Sequence, residues 1–167
     1  MEINWLVVIG AGVIPLITGF IWYHKSVFGN AWMQMTGMTE EKANQSNMAL
    51  VFGLTFLFGI FLALSMLSMT IHQMGIMSTL MNVPGFGQEG SEVDLYFKDF
   101  LAKYGNEFRT FKHGALHGVI GGLFIALPII AVNALFEQKS WKYIAINVGY
   151  WMLTMALIGG VVCAWGA

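Results

Sequence analysis

The chain has little of what a soluble domain depends on. Only 10% of its 167 residues are charged, where an ordinary globular domain carries about 25%. The few charges gather in connecting segments, so windows of roughly 20 residues contain none. A chain that is 57% hydrophobic cannot hide that much apolar surface in water, and a bilayer is its natural solvent. The single cysteine, Cys163, lies in an apolar run, which excludes an intramolecular disulfide and a CxxC metal site. No basic cluster is present and the net charge is −1, so nucleic acid is excluded as a partner. No Lys or Arg precedes the apolar run in MEINWLVV, unlike a cleaved signal peptide, and a retained membrane helix is expected there. Missing too are a nucleophile–base set, paired carboxylates and a phosphate-cradling loop, so the expected function is not enzymatic.

What is present is a set of long apolar stretches. Trp5–Tyr23, Met48–Ile71, Gly114–Phe136 and Tyr143–Trp165 each meet the length of about 20 helical residues needed to cross the hydrocarbon core. The expected fold is an all-α membrane protein: one transmembrane domain over residues 1–167, with four helices in a bundle and both termini on one side. Trp5 and Trp165 would mark one interface, and Trp22, Tyr23, Trp141 and Tyr143 the other, as an aromatic belt requires. Lys25, Lys42, Lys139 and Lys142 fall on one side, against Lys98, Lys103, Arg109 and Lys112 on the other. The positive-inside count is therefore tied and leaves orientation open.

The connections carry structure of their own. Phe28, Trp32, Met33 and Met35 make the first half of the first loop apolar enough to lie in the interface. Thr39 followed by Glu40 and Glu41 reads as a helix start, so the second span is expected to begin a few turns before the membrane. In the second loop, Ser91 caps an amphipathic helix over residues 92–104, with Val93, Tyr96, Phe97, Phe100, Leu101 and Tyr104 on one face. Gly105 is the expected stop, and the third span is expected to begin outside the bilayer near Glu107. A faint internal repeat pairs Pro15-Leu16-Ile17 and Lys25-Ser26 with Pro128-Ile129-Ile130 and Lys139-Ser140, as in parallel hairpin repeats. Both prolines should open backbone hydrogen bonds within a span.

The stretch FKHGALHGVIGG, residues 111–122, holds the chemistry. His113 and His117 are four apart and share a helix face, and His72 ends the second span on the same side of the membrane. Three imidazoles there suffice for a zinc or copper site with an open position. Met66, Met69, Met74 and Met77 around His72 favour copper(I). His24 lies at the opposite interface. Gly114, Gly118 and Gly122, widened by Gly121, form a strip for close helix packing, and this places the third span at the centre of the bundle. The strip would face another span or a second copy.

The stretch GFIWYHKSVFGNAWMQMTGMTEE, residues 19–41, together with FKHGALHG and NALFEQKSWKYIAINVGYWM, resembles the family catalogued as domain of unknown function 1761. The resemblance covers nearly the whole chain and is weakest from Asn82 to Lys103. It implies a small integral protein of the bacterial inner membrane. It carries over Trp22, Tyr23, Phe28, Gly29, Trp32, Gly37, His113, Gly114, His117, Gly118 and Asn147 as motif positions without assigned roles.

Three functions are expected from these features. The first is a helix-packing membrane module without a cofactor, in contact with the bilayer and using the glycine strip to self-associate or to join a membrane-protein partner. The second is a small transporter or channel whose polar path includes His113, His117, Asn133 and Asn147. The third is a zinc, copper or haem site on His72, His113 and His117.

Overall fold

In hydrocarbon no water is available to backbone amides, so a segment crosses only if its N–H and C=O groups are satisfied internally, and a helix does this. The computed structural model describes residues 2–167. Among these residues it contains four helical spans, Trp5–Trp22, Met48–Thr70, Phe111–Phe136 and Trp141–Trp165. The chain is a multi-pass, all-helical membrane protein. The first span is built from α1 (Trp5–Ala11) and α2 (Ile14–Trp22). Between it and the second span lie α3 (Asn30–Thr36) and α4 (Glu40–Asn44). The second span is α5 (Met48–Thr70), followed outside the membrane by α6 (Gln73–Leu80) and α7 (Glu92–Tyr104). The third span joins α8 (Phe111–Gly121) to α9 (Leu127–Phe136), and the fourth is α10 (Trp141–Trp165).

The first and third spans are interrupted just before their prolines. At the first, Gly12 and Val13 donate three residues back, to Ile9 and Gly10, before α2 starts with Pro15 in its first turn. At the third, residues Gly122–Ala126 form a wide π turn in which Leu127 N–H reaches back to the Gly122 carbonyl, and Pro128 follows. A proline has no N–H for the carbonyl four residues earlier, and both irregular turns absorb that loss. The two interruptions fall at corresponding places in the two hairpins, in line with the faint repeat.

The fourth span, rather than the third, is central: 56% of its apolar stretch is buried in the protein, against 17% for the third. The reason is that the glycine strip is one-sided. A Cβ on Gly114 would lie 2.0 Å from the Gly159 carbonyl oxygen, one on Gly118 2.2 Å from that of Met155, and one on Gly122 2.7 Å from the Met152 Cα. Only glycine permits such approaches, and all of them are to α10. The opposite faces of α8 and the π turn, with Leu116, Ile120 and Phe124, are exposed to lipid. α10 instead buries residues against the first span, α5, α8 and α9, with Met66, Leu67, Met155, Ile158 and Val162 in one cluster and Ala134, Ile144 and Val148 in another.

Polar ties fix the first span to α10. Thr18 and Thr154 share a hydroxyl–hydroxyl hydrogen bond of 2.8 Å, Tyr150 donates to the Pro15 carbonyl at 2.9 Å, and the Trp22 indole donates to the Ile146 carbonyl at 3.0 Å. At the other end Asn4 N–H donates to the Gly166 carbonyl at 2.9 Å and Arg109 of the second loop donates to the Ala167 carbonyl, which puts both termini and the second loop on one side.

The loops depart from expectation in two places. The helix capped by Thr39 ends at Asn44, and the second span begins separately at Met48 under the Asn47 cap. Gln45-Ser46-Asn47 separates them, and Ser and Asn hydrogen-bond the backbone locally in preference to continuing a helix. The third span begins at Phe111, capped by Thr110, rather than near Glu107. Phe108, at φ 60°, reverses the chain in the left-handed region and stops any earlier start. α7 holds its expected range, with the Ser91 hydroxyl accepting from Asp94 N–H at 3.2 Å.

Gly118→Ala is therefore expected to lower thermal stability in detergent, at a cost of about 1–3 kcal/mol from forced helix separation. Gly53→Ala, where an added Cβ meets nothing within 4 Å, serves as the control and should leave the melting temperature unchanged or slightly raised. Equal behaviour of the two variants would contradict the packing account.

Candidate metal centre

Three local features bring the histidines together. α5 stops at Thr70 because Ile71 turns extended, at φ −102° and ψ 93°, and His72 follows at the mouth of the bundle. Thr110 starts α8 so that His113 and His117 lie one turn apart on a single face. The glycine contacts then draw α8 onto α10, beside the end of α5. His72 Nε2 and His113 Nε2 are 2.9 Å apart. The ring centroids are 5.0 Å apart for His72–His113, 5.1 Å for His72–His117 and 4.5 Å for His113–His117. One nitrogen from each imidazole lies within 4.8 Å of the other two.

At 2.9 Å one Nε2 must donate while the other accepts, so the apposed rings hold opposite tautomers when neutral. Imidazoles bound to one tetrahedral ion at about 2.0–2.1 Å place their nitrogens about 3.4 Å apart. The triad is within a small side-chain adjustment of that geometry. It contains no carboxylate and no thiolate. The Phe108 ring flanks it, 6.1 Å from His72 and 5.1 Å from His113. His72 is exposed and the other two are half-buried, so the triad opens at the membrane surface.

Two residues that the sequence did not single out hold this mouth in place. Gln73 is 3% exposed and donates from Nε2 to the carbonyls of Tyr104 at 2.8 Å and Glu107 at 2.9 Å. Arg109 donates from Nε to the Cys163 carbonyl at 2.8 Å and from Nη2 to the Ala167 carbonyl. The turn that carries Phe108 and starts α8 is thus tied to α6 on one side and to the end of α10 on the other. No local pattern announces either residue, because each acts on backbone carbonyls distant in sequence. Adjacency to His72 was the one available hint.

The remaining expected residues lie elsewhere. Gly114, Gly118, Gly121 and Gly122 are buried. Asn133 is exposed near the far end of α9, about 24 Å along the helix axis from His117 at 1.5 Å per residue. Asn147 accepts from the Tyr23 hydroxyl at 2.9 Å and donates to the Tyr143 carbonyl at 2.7 Å. The Trp22 ring packs on Phe28 with centroids 4.7 Å apart, and Tyr23 meets Trp32 at 5.5 Å. Gly29 lets the chain pass the Tyr23 carbonyl, and Gly37 ends α3 at φ 67°. His24 pairs with Ser26 at that same far interface. The motif residues from Trp22 to Gly37 therefore build the far end of the bundle, and the histidines mark the near end. Two lipid-side grooves of about 530 and 570 Å³ share Pro15, Thr55 and Tyr150. Neither is lined by the triad or by Asn133.

Four spans, a short amphipathic helix beside the bundle and a histidine triad at one mouth define a small multi-pass helical membrane protein. Residues 6–163 match the family described as "Protein of unknown function (DUF1761)", and the chain belongs to it. No curated protein and no solved structure matched.

Gln73→Leu removes the donor shared by two carbonyls, a loss of about 1–3 kcal/mol. Amide hydrogen exchange across residues 105–110 should quicken by about tenfold or more, with exchange in α10 unchanged. Unaltered exchange in that turn would show that Gln73 does not hold it.

Proposed function

We propose that this protein binds a transition-metal ion, zinc(II) or copper(I), at one membrane interface through His72, His113 and His117, without catalysing a reaction. The observation that carries the reading is the convergence of three imidazole nitrogens within 4.8 Å, from two different spans of the bundle. Three neutral nitrogens with one open position are a recognised donor set for either ion. The setting we propose is a bacterial inner membrane.

The other expectations have less support. The glycine strip is covered by α10 of the same chain, so it offers no free face to a second copy. A polar path needs groups in sequence across the bilayer, and Asn133 and Asn147 stand at the far end, away from the histidines. Haem needs a slot for its macrocycle, and neither large groove reaches the triad.

Protein purified without a histidine tag and equilibrated with zinc or reduced copper should carry about one ion per chain. His117→Ala removes one of three ligands and should weaken binding at least tenfold, since losing even a partner that only orients a ligand costs about 10–100-fold. Elemental analysis together with a competition titration measures both. Metal well below one ion per chain after equilibration, or full affinity in His117→Ala, would rule the reading out.

A further inference from the structure

Beneath the triad lies a second set of soft donors. Gly121 is one turn beyond His117, about 6 Å deeper in the membrane. A Cβ built on it would lie 2.7 Å from the methyl carbon of Met155 and 3.5 Å from that of Met69. Met69 comes from α5, three residues before His72, and Met155 from α10, so two spans deliver thioethers to one point on α8. The seam continues with Met66, whose methyl lies 2.9 Å from a Cβ on Gly159, and with Met152 against Gly122. Met69 is half-buried and Met155 is 5% exposed.

Resting on the triad as a metal centre, we infer that the ion it takes is copper(I), with one thioether, from Met69 or Met155, taking the open position on its inner side. Two arguments support copper(I). Thioethers are soft ligands that select copper(I), while zinc(II) takes imidazole, thiolate and carboxylate. The donors are also all neutral, so the ion's charge is uncompensated at the edge of the hydrocarbon. The self-energy of a charge in low dielectric rises with its square, so a divalent ion costs about four times as much as a monovalent one. Methionine's flexible side chain allows the Met69 sulfur to swing toward the triad without moving α5. Leucine would fill the seam equally well but would give the ion no ligand.

The test uses the full chain in detergent, with copper(I) and zinc(II) titrated separately under anaerobic reducing conditions against chromophoric chelators. Wild type should hold copper(I) more tightly than zinc(II). The Met69→Leu/Met155→Leu variant keeps side-chain volume nearly constant. It should lose about tenfold or more in copper(I) affinity, with zinc(II) affinity retained. X-ray absorption at the copper edge should show sulfur in the wild-type coordination shell and nitrogen alone in the variant. Unchanged copper(I) affinity in the variant, or a wild-type shell of nitrogen alone, overturns the inference. So does an equal loss for both ions, which would mean that the methionines act by packing. If wild type binds neither ion, the metal reading itself fails; if it binds zinc(II) in preference, only the copper assignment falls.

Discussion

Everything at the near end of this bundle depends on the backbone of α8 lying directly on the backbone of α10. Gly114 faces Gly159, Gly118 faces Met155, and the π turn at Gly122 faces Met152. In lipid there is little hydrophobic drive between helices, and close van der Waals approach takes its place. The approach also turns the other edge of α8 toward the end of α5. His113 and His117 ride on that edge, and His72 meets them there. Were the two backbones held apart by ordinary side chains, the three imidazoles would lie on separated helices.

The two ends of the molecule follow different physical rules. At the far interface, aromatic stacking and neutral hydrogen bonds dominate: Trp22 on Phe28 and Ile146, Tyr23 on Trp32 and Asn147. Each indole or phenol buries an apolar body and places its polar tip on a partner, the use to which interfacial aromatics are suited. The near interface relies on polar side chains instead. Its imidazoles pair with one another, and its backbone is held by Gln73 and Arg109. A motif made mainly of far-end residues thus reports how the bundle is closed, while the reactive nitrogens sit at the opposite mouth.

Much of this was readable from residue order. Absent charge and sufficient length located the four spans to within a few residues at each end. The Ser91 cap and the spacing of Phe97, Phe100 and Leu101 located α7, because capping and amphipathic period are local signals. The Gly114–Gly118–Gly122 strip was legible as a packing face but not as a choice of partner. That choice depends on Gly159 and on the backbone at Met155, some forty residues away. The centrality of α10 was hidden for the same reason, since a helix surrounded by neighbours and one facing lipid are equally apolar. At the site, His113 and His117 were legible as a pair from spacing alone. Topology also placed His72 on their side of the membrane, but its close approach rests on the extended Ile71 and the turn before α8 on the left-handed Phe108, neither of which has a signature in composition.

The π turn at Gly122–Ala126 also acts as a phase shifter. At about 100° per residue, Ala134 would fall about 120° around the helix from Gly122, out of reach of α10. Taking up one residue in the wide turn brings the two within about 20° of each other. That is why Ala134 is buried against Ile144 and Val148 although the glycine strip ended three turns earlier. The third span is therefore two half-helices whose lipid-facing surfaces follow separate angular registers, each set against the same uninterrupted neighbour.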